Sequence, residues 1–93
     1  MFDWDEENVR HIAAHDITPE EAEQVLLNDP VYGGTQDHES EERFVEVGVT
    51  DRMRMLVVIT TMRGELTRVV TAYPAPLAFR RFYAEEKGAN YER

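Results

Sequence analysis

The hydrophobic pattern of this chain changes period once, and that change limits the folds open to it. Up to Asp29 the apolar residues recur every three or four positions, as on one side of an amphipathic helix. From Val31 onwards they alternate with polar residues, which is typical of strands. A chain with helices first and a group of strands afterwards is predicted to form an α+β fold.

The N-terminal part carries the clearest local signals. A short edge strand is predicted over 2–4, followed by a helix that starts with three carboxylates and ends near His15. In the next helix Thr18 and Glu21 have the spacing of a capping box, and Pro19 occupies the first helical position. That helix is predicted to end at 28–30.

The remaining elements are predicted from the alternation of apolar and polar residues and from the glycines and prolines that end regular structure. A polar loop is predicted over 35–41, strands over 44–49, 55–60 and 66–73, and a last helix over 77–87 closed by Gly88. The whole is one domain, 1–93, with an N-terminal short strand and two helices, an antiparallel meander of three or four strands, and a C-terminal helix. We expect the helices to cover one face of the meander.

Charge is divided unevenly along the chain. Residues 1–42 hold 13 acidic and 1 basic side chains, whereas residues 43–93 hold 6 acidic and 9 basic ones, and the total is −9. Such a total argues against a simple nucleic-acid-binding domain, which usually carries a basic surface. The basic half suggests an anionic partner or substrate. The alternative is that the two halves neutralise each other in the fold.

Several functional classes are excluded or disfavoured. The absence of cysteine excludes a thiolate nucleophile and fits a reducing cytoplasm, which is the expected location. The longest apolar run is only 55–59, so no membrane span is expected. His11 and His15 have the spacing of a metal half-site, but Ile12 stands where a zinc protease needs glutamate. We therefore expect neither a metal nor another cofactor.

Nine of the ten basic residues are arginine, the side chain best suited to phosphate. If the last helix packs beside the sheet edge, the arginines of the strands and that helix would converge on one concave surface. Tyr73, Phe79 or Tyr83 could then stack an RNA base. The alternative is that the arginines pair with the abundant carboxylates.

RNA can be cleaved without a metal when its own 2′-hydroxyl attacks the adjacent phosphate. Such a site needs a base for the hydroxyl, an acid for the leaving oxygen, and cations for the developing charge. Arginine supplies the cations; no pattern in the sequence identifies the base or the acid.

Three segments resemble the N-terminal half of the BrnT toxin family: 2–5 (FDWD), 15–22 (HDITPEEA) and 28–30 (NDP). The strands over 42–58 and 64–71 are similar to the meander of that family. The resemblance implies a RelE-like fold, endoribonuclease toxicity in a type II toxin–antitoxin system, and neutralisation by a ribbon-helix-helix antitoxin. It also implies that DNA is contacted only through the antitoxin.

The C-terminal motif departs from the family. Tyr73 stands where the family has arginine and Phe79 where it has glutamate, whereas Arg80 and Tyr83 match. The resemblance therefore implies Arg80, Tyr83 and the substitute Tyr73 as catalytic residues. Predicted RNA contacts are Arg52, Arg54, Arg68 and Arg81. The alternative is a RelE-like protein-binding module that has lost nuclease activity.

Overall fold

The computed structural model describes residues 1–91, and side chains up to Gly88. Two helices come first, α1 (Glu6–Ala13) and α2 (Pro19–Leu27). Four strands follow, β1 (Val31–His38), β2 (Glu41–Val49), β3 (Met55–Arg63) and β4 (Leu66–Pro74), and α3 (Leu77–Tyr91) comes last. The strands form one antiparallel sheet in the order β1-β2-β3-β4. This confirms the predicted α+β class and its element order.

Both N-terminal helices begin at side-chain caps. The Thr18 hydroxyl accepts a hydrogen bond from the Glu21 amide at 3.2 Å, and a Glu21 carboxylate oxygen accepts one from the Thr18 amide at 3.0 Å. This is the predicted capping box. Helix α1 has an equivalent box built from Asp5 and Asn8. It ends at Ala13, two residues earlier than predicted, and Asp16 turns the chain with a φ of 61°.

The sheet lies between helices, which corrects the prediction that all helices cover one face. Alternate residues of β3 point to opposite sides. Leu56 and Val58 pack with α1 and α2, whereas Val57 and Ile59 belong to the cluster that contacts α3. Each face therefore has its own small hydrophobic core.

The predicted loop over 35–41 is wrong, because most of it belongs to β1. Gly33 and Gly34 form a bulge opposite Val45, after which pairing with β2 resumes as far as His38 and Glu41. Glu39 and Ser40 make the turn, both with positive φ (50° and 69°). The chain thus forms a long hairpin that extends beyond the part of the sheet covered by α3.

Two further predictions need correction. The N-terminal short strand is reduced to a single parallel bridge between Phe2 and Thr67 at the β4 edge. Gly88 does not cap α3, because the helix continues to Tyr91. No helix among the described residues is long and apolar enough to cross a bilayer.

Candidate functional site

The three residues that the resemblance implies as catalytic lie around α3. Tyr73, at the end of β4, and Tyr83 both pack half-buried against the cluster formed by Val57 and its neighbours. The ammonium group of Lys87 lies 5.6 Å from the centroid of the Tyr83 ring. Arg80 is exposed on the same helix. The structure therefore places the two tyrosines against one cluster, with Arg80 at its surface.

Arg68 is held by the start of α1. Its side chain is 9% exposed and lies 3.1 Å from Asp5, 3.2 Å from Glu7 and 3.4 Å from Asp3. The hydrogen bond from Arg68 lowers the pKa of Asp5 and raises the pKa of Arg68 itself. Three carboxylates therefore already surround the Arg68 guanidinium.

Arg54 is held at the other end of α1. It donates to the backbone oxygen of Asp16 at 2.7 Å and to both oxygens of the Glu21 carboxylate at 3.1–3.2 Å. It thereby joins the end of α1 to the cap of α2. The length of α1, about 12 Å for eight residues, separates this ion pair from the Arg68 cluster.

The remaining predicted contacts are exposed. Arg52 lies in the turn between β2 and β3, and Arg81 follows Arg80 on α3. The predicted arginines are therefore distributed over four places: α3, the start of α1, the end of α1, and a strand turn. The structure does not bring Arg54 and Arg68 together.

A different group of polar side chains does converge, on the α3 side of the sheet beyond the part that α3 covers. They line a cavity of about 440 Å³ with three walls. The β1–β2 hairpin forms the first wall and α1 forms the second. Strands β3 and β4 form the third, which is the floor of the cavity. The lining residues are Glu7, Asn8, His11, His38, Glu41, Arg43, Arg63, Arg68 and Val70.

Glu41 is the electrostatic centre of this cavity. Its carboxylate accepts from Nη1 of Arg63 at 2.5 Å and from Nε of Arg43 at 3.1 Å. The hydrogen bond from Arg63, and then that from Arg43, lowers the pKa of Glu41. Two guanidiniums share one carboxylate, so the three groups together carry a net positive charge. These two guanidiniums can bind an anion in spite of the acidic total and of Glu7, which also lines the cavity.

A row of rings connects the cavity to α3. The His11 and His15 ring centroids are 6.3 Å apart, and the His15 and Tyr73 centroids are also 6.3 Å apart. His11 lines the cavity, whereas Tyr73 lies beside the cluster that α3 covers. The cavity and the Tyr73–Tyr83 region are thus neighbours along the β4 edge.

Sequence reasoning missed this cavity because it placed 35–41 in a loop. His38, Glu41 and Arg43 share a face only when the hairpin is known, since cross-strand partners project to the same side. The alternating Glu41, Arg43 and Val45 was a usable signal, because it continues the period of the predicted strand by two positions. His11 was considered only as a metal ligand.

The opposite face of the sheet carries an apolar groove of about 350 Å³ beside α2. Leu27 and Met62 on its walls are 64% and 50% exposed. Glu46 lies among these apolar side chains, and burial raises its pKa. The described lining residues are Met1, Phe2, Leu26, Leu27, Phe44, Glu46, Thr60, Met62 and Thr67.

Comparison with known proteins agrees with the sequence resemblance. The family model for the ribonuclease toxin BrnT of type II toxin–antitoxin systems matches residues 4–76. A search of curated proteins found no matching relative. The matched segment contains α1, α2 and the whole sheet, and it ends just before α3. The chain belongs to the BrnT family of type II toxin–antitoxin ribonuclease toxins.

Proposed function

We propose that the protein is a cytoplasmic, metal-independent endoribonuclease toxin that a ribbon-helix-helix antitoxin neutralises. The observation that carries this proposal is the family match over residues 4–76. A four-stranded antiparallel sheet with a helix after the last strand supports the RelE-like fold that the resemblance implies. When the 2′-hydroxyl of the RNA itself attacks the phosphate, the enzyme must supply an acid, a base and positive charge. Arginine can supply that charge, so no metal is needed.

RNA contact is proposed for the α3 end of the sheet. Arg80 and Arg81 are exposed there, and Tyr73 and Tyr83 offer aromatic rings for stacking. Arg52 is a further exposed cation. Arg54 and Arg68 would have to release carboxylates before they could bind phosphate, so the proposal gives them a supporting role.

The purified protein is expected to cleave a mixed RNA pool in the presence of EDTA. Arg80→Ala should lower the rate by about 10- to 100-fold, the usual cost of losing a hydrogen bond to a charged group. Arg10→Ala, an exposed arginine on α1, is the matched control and should cleave like the wild type. Cleavage is measured by denaturing gel electrophoresis of end-labelled RNA.

A second function is favoured by the replacement of the family arginine and glutamate by Tyr73 and Phe79. In that case the chain is a binding module that has kept the antitoxin surface and lost the nuclease. The same assay distinguishes the two. Absence of cleavage above the Arg80→Ala variant, together with intact antitoxin binding, would establish the binding module instead.

The apolar groove beside α2 is the proposed antitoxin surface. Type II antitoxins are proteins, and a groove of exposed Leu27 and Met62 suits the apolar side of an amphipathic segment. The Glu46 carboxylate lies within the groove, and burial alone accounts for its raised pKa. A lysine or arginine from the partner would compensate that burial. The occupant is therefore expected to be an amphipathic segment with a basic residue among its apolar ones.

Leu27→Asp is expected to weaken the complex with the protein encoded by the adjacent gene by at least about tenfold, since it places a charge in an apolar contact. Leu77→Asp is the matched control, because Leu77 is 61% exposed, against 64% for Leu27, and lies outside the groove. Co-expression, affinity capture and sizing measure the effect. An equal loss of affinity in both variants would refute the proposal that this groove binds the antitoxin. A dimer of the free protein that only Leu27→Asp dissociates would refute it as well.

A further inference from the structure

The residues implied by the family resemblance leave the proton transfers unassigned. The arginine side chain stays protonated in proteins, and a tyrosine phenol ordinarily titrates at about pH 10, so neither residue type serves as a base at neutral pH. The cavity beyond α3 holds two carboxylates and two imidazoles beside the guanidiniums of Arg43 and Arg63. Carboxylate, imidazole and arginine together form a complete set for metal-free cleavage of a phosphodiester.

We propose that this cavity is the cleavage centre for RNA, with Glu41 as general base and His11 as general acid. The inference rests on the proposed ribonuclease function and assigns its chemistry to residues outside α3. Arg43 and Arg63 stabilise the charge that develops on the phosphate.

The position of Glu41 suits a base that substrate binding activates. In the free protein Arg63 and Arg43 hold it ionised, so it is ready to accept a proton. A phosphate that enters the cavity competes for the same two guanidiniums. As their hydrogen bonds transfer to the phosphate oxygens, the carboxylate loses the interactions that lowered its pKa and becomes more basic.

The walls of the cavity suit the in-line geometry of the reaction. The attacking and leaving oxygens lie on opposite sides of phosphorus, so base and acid belong on facing walls. Glu41 lines the cavity from the hairpin and His11 lines it from α1, while Arg63 lies on β3 in the floor and contacts Glu41. His38 pairs with Glu41 across the hairpin and is therefore on the same wall as the base.

The reaction balances without water or metal. Glu41 takes the proton of the 2′-hydroxyl, and that oxygen forms a bond to phosphorus. The bond from phosphorus to the 5′-oxygen breaks, and protonated His11 gives its proton to this leaving oxygen. The products are a 2′,3′-cyclic phosphate and a 5′-hydroxyl end.

Glu41→Gln is expected to lower the cleavage rate by about 10²- to 10⁴-fold, the usual contribution of a positioned acid or base. Glu42→Gln makes the same chemical change one residue away on the opposite face of β2, and it should leave the rate unchanged. His11→Gln should cause a comparable loss. His15→Gln, one helical turn further on and outside the cavity lining, should not. Products are identified by their cyclic phosphate ends.

Binding separates failure of this centre from failure of the proposed function. A short RNA with a 2′-O-methyl group at every position cannot be cleaved by this route, and it is titrated while amide NMR signals are followed. Signals of the β1–β2 hairpin are expected to shift, and Arg43→Ala to weaken binding. Cleavage that is unaffected by Glu41→Gln, or that depends on His38 rather than His11, would refute the assignment while the ribonuclease function stands. Binding at the hairpin with no cleavage would refute the ribonuclease proposal and with it these catalytic roles.

Discussion

Asn8→Ala is expected to lower the free energy of unfolding by about 2–4 kcal/mol, because it leaves buried polar groups without partners. Asn8 is 2% exposed. Its amide nitrogen donates to the backbone oxygens of Asp3 at 2.8 Å and Val69 at 3.1 Å, and its side-chain oxygen accepts from the Asp5 amide at 2.8 Å. Alanine removes all three bonds at once.

Chemical denaturation monitored by circular dichroism measures this effect. Asn28→Ala is the control, because Asn28 also donates from its amide, to the Val49 backbone oxygen and to Asp51, but is only half-buried. Water can replace those bonds, so the control should lose about 1 kcal/mol or less. Equal losses in the two variants would show that burial of the Val69 carbonyl is not what makes Asn8 important.

The Asn8 bonds also matter for the candidate site. They fix the start of α1 against β4, and α1 carries Glu7 and His11 into the cavity wall. A helix of eight residues has little stability of its own and depends on such tertiary contacts. The position of the proposed acid is therefore set by hydrogen bonds of a residue one turn earlier in the same helix.

Local signals predicted the N-terminal half of the fold well. The Thr18 capping box and Pro19 act within one turn of helix, so their effect can be read from adjacent residues. The central strand 55–60 is buried on both faces, as its unbroken apolar run predicts. The side of the sheet on which α3 packs could not be predicted in this way, because both faces of that strand are apolar.

The hairpin between β1 and β2 was missed for a physical reason. Two-residue hairpin turns favour asparagine or glycine, which adopt positive φ easily. Here Glu39 and Ser40 occupy those positions, and the strand before them is polar. Pairing with β2 stabilises β1, and a partner in the sheet cannot be read from the residues of β1 alone. Without β1 the hairpin is not predicted, and the hairpin forms the cavity wall that carries Glu41.

Ion pairs in the folded protein join the acidic first half of the chain to its basic second half. Arg68 pairs with the carboxylates at the start of α1, Arg54 with Glu21, and Lys87 with Asp29. Each of these pairs joins the acidic half of the sequence to the basic half, as the neutralisation hypothesis predicts. At Glu41 the pattern differs, because two arginines share a single carboxylate. Net charge along the sequence therefore conceals a place among the described residues where two arginines face one carboxylate.

Arg63→Ala is expected to lower kcat/KM for RNA by about 10²- to 10³-fold, the usual cost of removing one donor to a developing negative charge. Arg63 makes the shortest contact to Glu41 and lies on the cavity floor. Its side chain is 50% exposed, so the change in unfolding free energy should stay below about 1 kcal/mol. Arg63→Lys keeps the charge but not the forked donor set, and it should recover only part of the activity.

Steady-state cleavage of a defined RNA measures these values, with Arg10→Ala as the control for an exposed arginine outside the cavity. The double variant Glu41→Gln, Arg63→Ala adds a second criterion. Residues that act on one phosphate as a unit give losses that are not additive, so the double variant should lose much less than the product of the single losses. Multiplicative losses would show that Arg63 and Glu41 act independently. A loss no larger than that of Arg10→Ala would mean that Arg63 only contributes to the general charge of the surface.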